Sequence, residues 1–148
     1  MVLARRRADI EWRGTLDEGE GSFTVGDWML GELPVSWIER TSRIENSTSP
    51  EELMAASHAS CYAMALSLVL EQGGTPSERL HVSAACTLDT VDESFKITEM
   101  KLEVRGKIPN LDDDGLREAA KRAEEICPVS NALRGNVEIT VDTTLEDE

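Results

Sequence analysis

The chain has 148 residues, enough for a single domain, 1–148, with its own core. Its 40% hydrophobic and 30% charged residues exclude disorder on a large scale, while only 4% aromatics leave the core to Leu, Val, Ile, Met and Ala. A net charge of −14, from 29 acids against 15 bases, repels phosphate backbones and argues against a nucleic-acid partner.

The N-terminal third reads as β-rich. Arg5-Arg6-Arg7 is a solvated basic segment near the start. Ile10-Glu11-Trp12-Arg13 alternates apolar and polar residues until Gly14 breaks it. Gly19-Glu20-Gly21 has the composition of a hairpin connection into Ser22-Phe23-Thr24-Val25, and Gly26-Asp27 of another turn. A further strand is predicted from Val35 to Arg43, with Val35, Trp37 and Ile44 pointing inward.

A strong helix signal follows. In Ser49-Pro50-Glu51-Glu52, Ser49 is a good N-cap, Pro50 suits the first helical position, and Glu52 completes an S-x-x-E capping box. The helix is predicted to run to Gln72, where Gly73-Gly74 ends it and Pro76 prevents a restart. It is ~33 Å long. Apolar or small residues cover most of its circumference, so it is expected to be buried on nearly every side. One chain this short cannot easily wrap it, which points to a second subunit. Leu80 to Asp89 then alternates as a strand, with Val82, Ala84, Cys86 and Leu88 on one face. After a connection at Val91-Asp92-Glu93-Ser94, a second strand covers Ser94 to Lys107, and its parity shifts near Thr98-Glu99 as at a β-bulge. Asp112-Asp113-Asp114 opens an amphipathic helix that ends at Ile126, before Cys127-Pro128. A short helical turn through Val129 to Leu133 and a last strand, Asn136 to Asp142, complete the chain.

The start, Met1 to Arg5, has no apolar core of a secretory leader, and the apolar stretch from Ala59 to Leu70 is too short to span a membrane. A cytoplasmic protein without membrane association is expected. In that compartment three cysteines are more readily free, catalytic or redox-active than structural. Cys86 shares an apolar strand face and reads as core. Cys61, inside an apolar helix, and Cys127, at a helix end stopped by a proline, suggest a redox pair in which one thiol attacks and the other resolves. Local physics favours Cys127 as the attacker, since it would cap the turn begun by Pro128 and backbone N–H groups there would stabilise a thiolate. His58, one turn before Cys61, reads as a packed, hydrogen-bonded histidine. The chain has neither CxxC nor HxxxH spacing, so no metal is expected, and nothing points to another cofactor.

The segment Arg43-Ile44-Glu45, with Pro50-Glu51-Glu52-Leu53, His58-Ala59-Ser60-Cys61-Tyr62-Ala63-Met64-Ala65-Leu66-Ser67 and Cys127-Pro128-Val129-Ser130-Asn131-Ala132-Leu133, resembles the OsmC/Ohr family of thiol peroxidases, in the form of its OsmC branch. The resemblance runs from Trp12-Arg13-Gly14 to the final strand. It implies an α+β fold with antiparallel sheets packed around a long central apolar helix, in an intertwined homodimer. It also implies that Cys61 is the peroxidatic residue and Cys127 the resolving one, the reverse of the local reading. Cys61 would attack an organic hydroperoxide to give a sulfenic acid, Cys127 would condense with it to a disulfide, and an external dithiol would reduce that bond. An arginine that holds the thiolate matches Arg43, with Arg40 as the substitute, and the glutamate that holds the arginine matches Glu51.

Arg43 also answers a physical need. Apolar surroundings raise a thiol's pKa, and a neighbouring guanidinium reverses this but needs its own carboxylate partner. Glu51 and Cys61 are ten residues apart in one helix, ~15 Å along its axis. Either Arg43 bridges that gap or the glutamate comes from the partner chain, so an active site at a dimer interface is predicted. Leu53, Met54, Met64 and Ile44 are candidates for an apolar entrance that would favour alkyl or lipid hydroperoxides over hydrogen peroxide. Two other readings use the same residues: a non-catalytic member of the fold that binds an apolar small molecule, and a redox-sensing disulfide switch.

Overall fold

The computed structural model describes residues 1–26, 31–42 and 47–147. The chain divides into two compact units, Met1–Pro50 and Glu51–Glu148.

The first unit holds a three-stranded sheet, β1 (Ala8–Arg13), β2 (Glu20–Val25) and β3 (Leu33–Val35), with both pairs antiparallel. The hairpin connection lies earlier than the glycine pattern predicted. It occupies Gly14 to Gly19, closed by Gly19 N–H donating to the Thr15 carbonyl at 2.9 Å, and Glu20 and Gly21 already belong to β2. Gly21 is opposite Trp12, where a Cβ would sit 2.8 Å from the indole ring. The glycine there serves a close approach in the sheet rather than a turn.

The strand predicted from Val35 to Arg43 is a second correction. The chain leaves β3 at Val35 and forms a short helix, α1 (Trp37–Ser42). Ser36-Trp37-Ile38-Glu39 repeats the S-x-x-E pattern that opens the next helix. The Ser36 hydroxyl accepts from the Glu39 N–H at 3.2 Å, and the Ser36 carbonyl from the Arg40 N–H at 3.0 Å. The cap outweighs the strand preference of Trp37 and Ile38.

The second unit is built on α2 (Pro50–Gln72), which has the predicted bounds. Its C-terminus closes as a Schellman motif: Gly74 has φ 78°, its N–H donates to the Glu71 carbonyl at 3.1 Å, and Thr75 N–H donates to the Leu70 carbonyl at 2.9 Å. Beside it lies a sheet of β4 (Arg79–Val91), β5 (Ser94–Lys107) and β6 (Glu138–Leu145), in that order. The β4–β5 hairpin turns on two residues of positive φ, Asp92 and Glu93. Thr87 pairs with Glu99 and Leu88 with Ile97, so Thr98 is the extra residue of the expected bulge. The β5–β6 pair is parallel, so this sheet is mixed rather than antiparallel throughout as expected, and the parallel pair requires a crossover. That crossover consists of α3 (Asp113–Ile126) and α4 (Pro128–Leu133). Asp112 caps α3 by accepting from Gly115 N–H at 2.7 Å.

The core of this unit joins Tyr62, Leu66, Val69 and Leu70 of α2 to Leu102 and Val104 of β5 and Leu116 and Ala123 of α3. At 23 residues α2 is long and apolar enough, by length and composition, to cross a membrane, unlike the shorter Ala59–Leu70 stretch considered above. One face of it, through Tyr62, Leu66, Val69 and Leu70, packs into the core of this unit. Only one side of it is covered: Met64 is 67% exposed and Leu68 46%. The expectation of burial on nearly every side therefore does not hold for the single chain.

Candidate active site

Cys61 and Cys127 meet. Cys61 is half-buried on α2, while Cys127 is fully buried at the junction of α3 and α4, and both are free thiols. Cys61 and Val129 pack against the core cluster that contains Cys127, close enough for the Cys127 thiol and the Val129 backbone N–H both to act on the titration of Cys61. The second effect originates at the start of α4. First-turn N–H groups of a helix have no partner within it, and Pro128 at the first position has no N–H at all. Val129 supplies the first available donor, and it lowers the pKa of Cys61. Cys127 is the N-cap, yet its sulfur accepts no capping hydrogen bond. The capping bond that the local reading gave to Cys127 is not formed, and the N–H of Val129 acts instead to lower the pKa of Cys61.

Burial pushes the Cys61 thiol above its ordinary pKa; the Val129 N–H opposes this, and Cys127 adds to it. Cys61 therefore needs a further stabilising group to ionise readily at neutral pH. Arg43 and Ile44 lie outside the described residues. Arg40 is on α1 with its guanidinium 5.8 Å from the Trp37 ring centroid. Glu51 is buried in the first turn of α2, and its charge, after burial itself, helps push up the thiol of Cys86. Cys86 is half-buried on the expected face of β4. Leu53 and Met64 are exposed and Met54 is half-buried.

Two polar residues flank the thiols. His58 and Ser130 are both fully buried, and His58 Nε2 lies 2.7 Å from Ser130 Oγ. Burial holds the His58 pKa below its ordinary value, partly offset by the charge of Glu124. Tyr62, also fully buried, donates its hydroxyl to the Ala120 carbonyl at 2.7 Å. The far end of α4 is tied by Arg134, which donates to the Glu124 carbonyl at 2.8 Å, to the Glu124 carboxylate at 2.7 Å and to the Asn131 side chain. Among the described residues no three His, Cys, Asp or Glu side chains converge as metal ligands. The roles of Val129 and Ser130 were not read from the sequence. The one available signal was spacing: Ser130 follows Cys127 by three residues, as His58 precedes Cys61 by three.

The family model described as OsmC-like protein matches residues 44–142. The chain belongs to the OsmC-like family. Peroxiredoxin OsmC of Escherichia coli (strain K12) is 33% identical to this OsmC-like chain over 145 residues, covering 98% of it and 99% of the relative. The organic hydroperoxide resistance protein OhrA of Bacillus subtilis (strain 168) is 31% identical over 131 residues, 83% of this chain and 86% of its own. The crystal structure of OhrB from Bacillus subtilis superposes with a TM-score of 0.75 at 26% identity, covering 93% of this chain and 98% of that one. The α+β fold with its long central helix is that of these OsmC and Ohr proteins, and the relatives' names support a peroxidase-type role.

Proposed function

We propose that this OsmC-like chain is a thiol-dependent peroxidase that reduces organic hydroperoxides through Cys61 and Cys127. The observation that carries the reading is the meeting of the two thiols in one core cluster, with the Val129 N–H lowering the pKa of Cys61 against its burial. The Cys61 thiolate attacks the terminal peroxide oxygen, the O–O bond breaks, and the alkoxide takes a proton to leave as an alcohol. Cys61 is then a sulfenic acid. The Cys127 sulfur attacks it, expelling the hydroxyl as water and forming the Cys61–Cys127 disulfide. An external dithiol restores both thiols by two exchange steps.

Arg43 is assigned to holding the thiolate, and Glu51 to holding that guanidinium. The requirement behind both is the raised pKa of the half-buried Cys61. The exposed face of α2 is assigned to a second copy of the chain, which completes the site in a homodimer. The exposed Leu53 favours an alkyl over a hydrophilic peroxide. A reducing cytoplasm suits the pair, because its dithiols return the disulfide to thiols.

The test is steady-state peroxide consumption with dithiothreitol, comparing cumene hydroperoxide with hydrogen peroxide. Cys61→Ser is expected to abolish turnover, and Cys127→Ser to leave a Cys61 sulfenic acid trapped by dimedone. Full turnover in Cys61→Ser protein would refute the assignment. A single oxidation without turnover in the wild type would make the pair a switch instead.

A further inference from the structure

We propose that His58 is a positioning residue which, through Ser130, fixes the Cys127 turn in register with Cys61; this rests on the reading of those cysteines as a disulfide-forming pair. The two residues stand 72 positions apart in sequence, and their contact is a direct side-chain bond of 2.7 Å between two fully buried groups. His58 is one helical turn before Cys61 on α2. Ser130 is one turn after Cys127 in α4. The bond therefore joins the same two elements that carry the sulfurs, one turn away from them on each side.

His58 Nδ1 is buried with no hydrogen-bond partner among the described residues. A histidine used only to fill space at this cost would be replaced by an apolar side chain without loss. The Nε2 bond is what the residue contributes. With the proton on Nε2, Nδ1 is left as a bare lone pair rather than a stranded N–H, so His58 donates and Ser130 Oγ accepts.

The anchor matters because α4 is only six residues long. Its far end is held to α3 by Arg134 on Glu124. Its near end, where Cys127 sits, is held to α2 by His58. Disulfide formation needs closely defined sulfur and Cβ geometry, and holding two reacting groups in place raises their effective concentration.

The experiment measures the thiol–disulfide equilibrium of the Cys61–Cys127 pair in a glutathione buffer, where protein dithiol and glutathione disulfide give protein disulfide and two glutathione thiols. No peroxide is involved. His58→Gln places an amide N–H where Nε2 stood, whereas His58→Asn places it near Nδ1. The expected result is that His58→Gln keeps the wild-type midpoint, while His58→Asn and Ser130→Ala each lower the effective concentration by about tenfold or more. The His58→Asn/Ser130→Ala double variant should fall no further than either single one. Equal loss in His58→Gln and His58→Asn, an unchanged Ser130→Ala, or additive effects would overturn the proposal. Should His58→Asn not fold, Ser130→Ala carries the same comparison by removing a single oxygen. A wild-type chain that forms no Cys61–Cys127 disulfide in excess glutathione disulfide would instead sink the peroxidase reading itself.

Discussion

Replacing Met64 and Leu68 with Gln tests the assignment of the open face of α2 to a second copy. Both side chains are apolar and exposed, at 67% and 46%. Fully burying such a side chain stabilises by about 1.5–3 kcal/mol relative to leaving it in water. Scaled by these exposures and counted on both chains of a symmetric pair, the two positions contribute about 3–7 kcal/mol to association. At ~1.4 kcal/mol per factor of ten, Met64→Gln/Leu68→Gln should raise the dissociation constant by roughly two to five orders of magnitude. Gln is close to Met and Leu in helix propensity, and neither position belongs to the core, so the far-UV circular dichroism should not change. Sedimentation velocity across micromolar concentrations reads the outcome. Peroxide consumption should fall with the dimer fraction if the site is completed across the interface. A wild-type protein that sediments as a monomer, or a double variant that dimerises as the wild type does, would refute the reasoning.

Tyr62→Phe removes a buried hydroxyl whose partner, the Ala120 carbonyl, lies inside α3 and retains its helical acceptor role. The loss should be about 1 kcal/mol, seen as a lower urea midpoint with an unchanged m-value. Asp112→Ala deletes the side chain that accepts from Gly115 N–H and should cost about 1 kcal/mol of stability by the same measurement, without altering peroxide turnover. His58 predicts a pH dependence with a definite sign. Its folded-state pKa lies below the ordinary value of 6.5. Both folded and unfolded forms are neutral well above that pH, so the stability of neutral His58 is fully present there. As pH falls through the unfolded value the unfolded chain takes up the proton first and stability declines, levelling off only below the folded pKa. Chemical denaturation between pH 7.5 and 5 should show this decline and lose part of it in His58→Gln, and a stability that rises on acidification would contradict it.

Features written in adjacent residues were legible from the chain alone. Both ends of α2 follow from Ser49-Pro50 and Gly73-Gly74, and the bulge at Thr98 from one slip in an alternating strand, because caps and pleats are short-range effects. The family was readable for a related reason: the two cysteine motifs are short and distinctive, and the chain's membership of the OsmC-like family bears out the resemblance they carried. Short-range signals also misled where two competed, as at Ser36 to Glu39, where a cap outweighed strand-forming side chains.

Contacts between distant segments were decided only by folding. Nothing local states that β6 lies parallel to β5, that Cys61 and Cys127 share one core cluster, or that His58 reaches Ser130. Each depends on which surfaces the hydrophobic core brings together, and burial then forces every stranded donor and acceptor to find the nearest partner. The composition of α2 announced an excess of apolar surface, and the folded chain decided which side of it the sheet covers and which side stays open.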